Sequence, residues 1–180
     1  MALTSTMYAL HVSLANVDRG VYESIDFRMA MHPSESPEYF VARMLAYCLE
    51  YAEGIAFSKG VSDPDDPTVS VRDLTGTITT WIEIGLPDAA RLHKASKAAP
   101  RVVVYTHKDP TVWTRQLAGE RIHKVERIEC YLLDRELVDA LVERLDRRLA
   151  FDLSVTDGEI FVNIGGDTLT GSLPSMSLAT

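Results

Sequence analysis

A chain of 180 residues with 46% hydrophobic and 24% charged residues is sized for one globular domain, residues 1–180. Its net charge of −8 disfavours a broad electrostatic nucleic-acid footprint, while leaving room for a local basic groove. No apolar run approaches the ~20 residues of a membrane-spanning helix, and no charged segment followed by an apolar block marks a secretory signal. A cytoplasmic protein with no membrane partner is therefore expected. Cys48 and Cys130 both lie in apolar-periodic segments and read as buried free thiols.

Residues 5–15 and 21–31 alternate as strands, with Val21, Ile25, Phe27, Met29 and Met31 on one face of the second. Asn16-Val-Asp-Arg-Gly20 supplies the turn of an N-terminal hairpin. His32-Pro33-Ser34-Glu35 reads as a connecting turn. The first helix has Ser36 as cap, Pro37 in its first turn and Gly54 just past its end. Val41, Leu45, Cys48, Leu49 and Ala52 form its apolar stripe. Arg43, Tyr47 and Glu50 share a neighbouring face and read as a solvated polar stripe. An acidic loop with two prolines spans Ser58 to Pro67, followed by strands from Thr68 to about Asp73 and around Glu83. Pro87 and Asp88 open a second helix bearing Arg91, Lys94 and Lys97. Arg101-Val-Val-Val-Tyr105 is a β-branched run suited to a buried central strand. A helix with Trp113 from Thr111 to Gly119 and a strand from Val125 to Leu133 follow. Asp134 caps a helix running to about Arg148, with Leu137, Leu141, Leu145 and Leu149 as its apolar row. Thr156-Asp157-Gly158 marks a C-terminal hairpin between Phe151–Val155 and Glu159–Ile164, and Gly165-Gly166-Asp167 turns into a third strand. The order predicts an α/β (α+β) protein: a mixed central β-sheet flanked by helices, with a β-hairpin at each end.

Phosphate-binding glycine loops, zinc-spaced cysteine pairs and a GxSxG elbow are all missing, and the five histidines are scattered. The residue that asks for an explanation is Glu83, set among Ile78, Trp81, Ile82 and Ile84. A carboxylate in such a strand needs a metal, a base or a donor network beside it. Metal-dependent phosphodiester cleavage would require further carboxylates around a hard cation such as Mg²⁺, with a lysine close by. Asp73-Leu-Thr-Gly76 has type I turn chemistry. A two-residue loop there pairs Asp73 with Gly76 and sets Asp66 opposite Glu83, with Cβ atoms about 5 Å apart. Asp65 would reach the same ion from the loop edge. A reversal nearer Ile78 would make Asp73 the facing residue instead.

Met31-His-Pro-Ser-Glu35, Phe57-Ser-Lys-Gly60, Asp73-Leu-Thr-Gly76, Trp81-Ile-Glu-Ile-Gly85 and Val102-Val-Val-Tyr-Thr106 resemble the bacterial YaeQ family, in order and spacing over essentially the whole chain. That resemblance implies a variant of the PD-(D/E)XK nuclease-like fold with a metal site at a β-hairpin. The (D/E)-x-K element falls on Glu83-Ile84-Gly85, so the glutamate is present and the lysine is not. Pro64-Asp65 supplies the Pro-Asp pair and Asp73 a shorter alternative. Lys94 or Lys97 on the following helix would replace the lysine, and Lys59 would touch a phosphate. Two expectations follow. One is a Mg²⁺-dependent nuclease with Asp65, Asp66 or Asp73 joining Glu83 at the ion and Lys94 or Lys97 assisting catalysis. The other is a catalytically silent relative that binds nucleic acid or a protein in transcription or repair. No sequence feature supports a small-molecule enzyme.

Overall fold

The computed structural model describes residues 4–59 and 65–179, so Gly60 and Pro64 of the acidic loop lie outside the described residues. In chain order the elements are β1 (Thr6–Asn16), β2 (Val21–Met31), α1 (Pro37–Leu49), β3 (Ile55–Phe57), β4 (Val69–Arg72), β5 (Ile78–Ile84), α2 (Ala89–Ala98), β6 (Arg101–Thr106), α3 (Thr111–Ala118), β7 (Glu129–Leu132), α4 (Arg135–Val142), β8 (Arg148–Thr156), β9 (Glu159–Ile164), β10 (Asp167–Ser172) and β11 (Ser175–Ser177). A 3₁₀ turn, Val125–Arg127, precedes β7. The chain divides into two compact units, Met1–Leu49 with Leu133–Leu173, and Glu50–Leu132 with Pro174–Thr180.

The mixed α/β architecture matches the expectation, but the strands form two mixed sheets rather than one central sheet. The first unit holds five strands in the order β10-β9-β8-β1-β2, and the second holds six in the order β11-β7-β6-β5-β4-β3. The two terminal hairpins join each other through a parallel β1–β8 pairing, Ala9 opposite Arg148 to Asn16 opposite Val155. Burial explains the separation. β8 and β9 alternate buried and exposed residues, as a sheet with one covered face requires. Val102 to Thr106 of β6 are buried without a break, as in a strand with both faces covered.

In the first unit α1 touches β1, β2 and α4, and α4 also touches β10. Every α1 residue from Phe40 to Leu49 is buried except Arg43, so the expected polar stripe does not exist. Tyr47 and Glu50 are buried, and Arg43 makes a two-pronged ion pair with Glu35 at 3.0 Å on each arm. Asp134 caps α4 as predicted, accepting from the backbone N–H groups of Glu136 and Leu137. The helix then stops at Val142 instead of Arg148. Leu149 belongs to β8, where Leu149, Phe151, Leu153 and Val155 share the buried face. Leu149 fits a helical row with Leu145 as well as a strand alternation with Phe151, and the sheet takes Leu149.

The second unit has its own core, in which Trp81, Leu92, Ala95, Val102, Val104, Trp113 and Cys130 pack together. β5, β6 and β7 run parallel, with α2 and α3 as their crossovers. The expected strand from Val125 is shorter, because residues 125–127 form the 3₁₀ turn and leave only Glu129–Leu132 to pair. Among the described residues no helix is long and apolar enough to cross a membrane.

Candidate functional site

The β4–β5 hairpin decides which carboxylates can meet. Its tip is not the two-residue loop expected from Asp73-Leu-Thr-Gly76. Asp73 N–H donates to the Thr77 carbonyl at 3.0 Å, so Leu74, Thr75 and Gly76 form a three-residue loop with Gly76 at φ +86°. The Asp73 carboxylate accepts from Thr75 N–H, Thr75 Oγ1 and Thr77 N–H at 2.9, 2.6 and 3.0 Å. These bonds, the Thr75 hydroxyl foremost, favour the ionised form and hold its pKa below the usual carboxylate range. A bulge between Val71 and Arg72 then shifts the pairing again, giving Val69 opposite Ile82. Continuing that register places Thr68, not Asp66, across from Glu83.

Glu83 occupies the C-terminal part of β5, pairs with Val104 of β6 and is 5% exposed. Its Oε1 accepts from Trp81 Nε1 at 2.7 Å, from Arg91 Nε at 2.9 Å, and lies 2.8 Å from Arg91 Nη2. Trp81 and Glu83 are two residues apart on one strand, so both project from the same face. Arg91 is delivered by α2, whose Asp88 cap accepts from Arg91 N–H at 2.8 Å while Leu92 and Ala95 anchor the helix in the core. The Arg91 guanidinium lies 5.1 Å from the Trp81 ring centroid, a cation–π distance. Its Nη2 also donates to the Asp66 backbone carbonyl at 2.7 Å. One arginine therefore ties β5, α2 and the loop before β4 together.

The structure gathers Glu83, Lys94, Asp65 and Asp66 around the first turns of α2, but gives each carboxylate its own cation. Lys94 pairs with Asp65, Arg72 Nη2 donates to Asp66 Oδ1 at 3.3 Å, and Arg91 takes Glu83. Asp73 stays at the hairpin tip in its own turn, and Lys97, one turn beyond Lys94 on α2, is exposed. Lys59 is exposed too. Among the described residues no three His, Cys, Asp or Glu side chains are placed to hold a metal ion. Mg²⁺ needs oxygen donors at about 2.0–2.1 Å in near-octahedral array, whereas Glu83 Oε1 already faces a permanently charged guanidinium. The donor set as folded does not fit the ion. Gly85 closes the strand at φ +91°, with its N–H bonded to the Tyr105 carbonyl at 2.8 Å. That backbone conformation disfavours a lysine, which gives the glycine at this position a conformational reason.

A second charge network, half-buried and built around the buried Glu50, was not expected from the sequence. Arg101 at the start of β6 grips Glu129 of β7 through Nε and Nη2, at 2.6 and 3.0 Å, and reaches Glu50 through Nη1 at 2.7 Å. Tyr131 donates to Glu129 Oε1 at 3.0 Å and stacks on Tyr105 at 5.3 Å between centroids. Burial disfavours the Arg101 charge, and the bond to Glu129 with the charge of Glu50 outweighs it. The only sequence signal was Glu50 at the end of an otherwise apolar helix.

The profile of the YaeQ protein family matches residues 1–172. Proteins carrying the name "Uncharacterized protein YaeQ" from Escherichia coli K12 and Salmonella typhi are 31% and 32% identical over 166 and 165 residues, 91% of each chain. The crystal structure of YaeQ protein from Pseudomonas syringae superposes with a TM-score of 0.85 at 29% identity, covering 96% of both chains. The YaeQ structure from Xanthomonas axonopodis pv. citri gives 0.85 at 27% identity over 98% of this chain and 100% of its own. A match over nearly the whole sequence, with the same chain path in solved relatives, places the protein in the YaeQ family.

Proposed function

We propose that this protein is a catalytically silent, cytoplasmic binding factor built on a variant of the PD-(D/E)XK nuclease-like fold. The observation that carries the reading is Arg91 bonded to Glu83 Oε1 at the point where a catalytic ion would be expected. The guanidinium meets the buried carboxylate's need for positive charge at the oxygen that a metal ion would use, which supports a site without metal-activated water. Gly85 in place of a lysine removes the second ingredient of cleavage.

The rival reading, a Mg²⁺-dependent nuclease, draws on one observation. Lys94, Asp65, Asp66 and Glu83 all surround the start of α2, so withdrawal of Arg91 would free the Glu83 carboxylate and the Asp66 backbone carbonyl close to a lysine. Nuclease assays on single- and double-stranded DNA and RNA with Mg²⁺ or Mn²⁺ separate the two. The proposal expects no cleavage above that of a mock preparation. Metal-dependent cleavage that disappears in Glu83→Gln would establish the nuclease instead.

A further inference from the structure

The segment from Arg91 to Arg127 concentrates the positive charge of an acidic protein. It holds nine lysines and arginines against three acidic residues, whereas the rest of the chain holds nine against twenty-three. Several of these cations are committed: Arg91 to Glu83, Lys94 to Asp65 and Arg101 to Glu50 and Glu129. Lys97, Arg121, Lys124 and Arg127 are exposed and make no ion pair with any described residue. They converge on two adjoining clefts between the C-terminal half of α2 and the segment joining α3 to β7. One cleft, of about 310 Å³, is bordered by Lys97, His123, Lys124 and Arg127. The other, of about 580 Å³, is bordered by His93, Lys97, Arg121, His123 and Lys124. Among the described residues no carboxylate lines either one.

Helix electrostatics accounts for one of these charges and not for the group. Lys97 in the last turn of α2 is favoured by the carbonyl end of the helix. Arg121, Lys124 and Arg127 have no such reason to crowd against it. Their placement is also built rather than loose. His93 Nδ1 accepts the His123 backbone N–H at 3.0 Å, fixing the start of the turn. Lys124 then adopts the left-handed conformation, φ 47° and ψ 43°, which lysine seldom takes and which costs free energy. The His93 and His123 rings meet edge to face at 6.3 Å, and His123 Nδ1 is 3.4 Å from Ser96 Oγ. Partial desolvation, then His93, Lys124 and Lys97, hold the His123 imidazole below its ordinary range, with Glu126 acting the other way. The floor of the smaller cleft is apolar, with Ala99, Val102 and Ile128.

We infer that the smaller cleft binds a phosphate group, held by Lys97, Lys124 and Arg127, with Arg121 in the adjoining cleft. Lysine and arginine side chains at one concavity, with no acid among its described lining residues, are the arrangement that recognises a phosphate dianion. A cleft of about 310 Å³ falls within the range of small-ligand sites and has an apolar floor for the group that carries the phosphate. The phosphate belongs either to a free nucleotide-sized molecule or to the end or backbone of a nucleic acid. This site stands apart from Glu83: cleavage at Glu83 would leave it intact, and its loss would leave the silent-site reading intact.

The test is a titration of the full chain, followed by amide chemical shifts, with inorganic phosphate, adenosine monophosphate, a 5′-phosphorylated decanucleotide and its unphosphorylated counterpart. Saturable shifts centred on the His123, Lys124 and Arg127 amides are expected, along with an upward move of the His123 titration when sulfate is added. Lys97→Glu with Lys124→Glu, checked for an unchanged melting temperature, should weaken binding at least about tenfold. Tight binding of the monophosphate assigns a small phosphorylated ligand. Binding of oligonucleotides alone, regardless of the 5′ phosphate and strongly weakened by salt, assigns nucleic-acid backbone. Absence of shifts in this cleft with every probe, or a charge-reversed protein that binds like wild type, would overturn the inference.

Discussion

Glu83 is buried to 5% exposure in a strand whose neighbours are Trp81, Ile82 and Ile84, so its ionised carboxylate has to be compensated from within the fold. Arg91 and Trp81 Nε1 supply three donors to one oxygen, and the Trp81 face offers the guanidinium a further attraction. Breaking one side of a buried pair costs more than the pair contributes, because the survivor keeps its charge without its partner. Arg91→Met should therefore lower the unfolding free energy by about 3 kcal/mol, and Arg91→Met with Glu83→Gln should recover part of that loss. Urea unfolding of the two single variants and the double variant measures the coupling. Strictly additive losses would show that the two side chains do not depend on each other. The need of Glu83 for a partner was legible from its apolar surroundings. The identity of that partner was not, since Arg91 reaches it only because Leu92 and Ala95 seat α2 on the core.

At the level of elements, β5 shows how a strand end sets chemistry. The strand stops at Ile84, and Gly85 turns the chain at φ +91° while its N–H bonds to Tyr105. Introducing a lysine at this position should strain the backbone. Gly85→Lys is expected to lower stability by about 1–3 kcal/mol and to leave nuclease assays blank; a stable variant that cleaves with Mg²⁺ would contradict both points. The β4–β5 hairpin illustrates where element-level reading runs out. Asp73 and Gly76 marked the turn correctly, but the third loop residue and the bulge at Val71/Arg72 each move the register by one position. Asp66 thereby loses its place opposite Glu83. Bulges depend on how the whole sheet twists and packs, which a local run of residues does not encode. The end of α4 has the same cause, because Leu145 and Leu149 satisfy a helical period until β8 claims Leu149 for its pairing with β1.

On the scale of the whole molecule, two kinds of strand pattern gave two sheets. Alternation in β8 and β9 belongs to a sheet with one covered face, and the unbroken burial of Val102 to Thr106 to one covered on both. Each strand's pattern was visible in the sequence. The parallel β1–β8 pairing that joins the chain's two ends was not, because it links segments more than a hundred residues apart. Charge is organised on the same scale: acids dominate the chain, yet Glu83, Asp65 and Asp66 are each matched with a cation, while Lys97, Lys124 and Arg127 collect at one cleft without ion pairs among the described residues. The central claim is that Arg91, not a metal ion, satisfies Glu83. Calorimetric titration of Mg²⁺ and Mn²⁺ into wild type, Arg91→Met and Glu83→Ala tests it most directly. The account predicts heats no larger than dilution for wild type and Glu83→Ala. A one-to-one isotherm in wild type that vanishes in Glu83→Ala would contradict it.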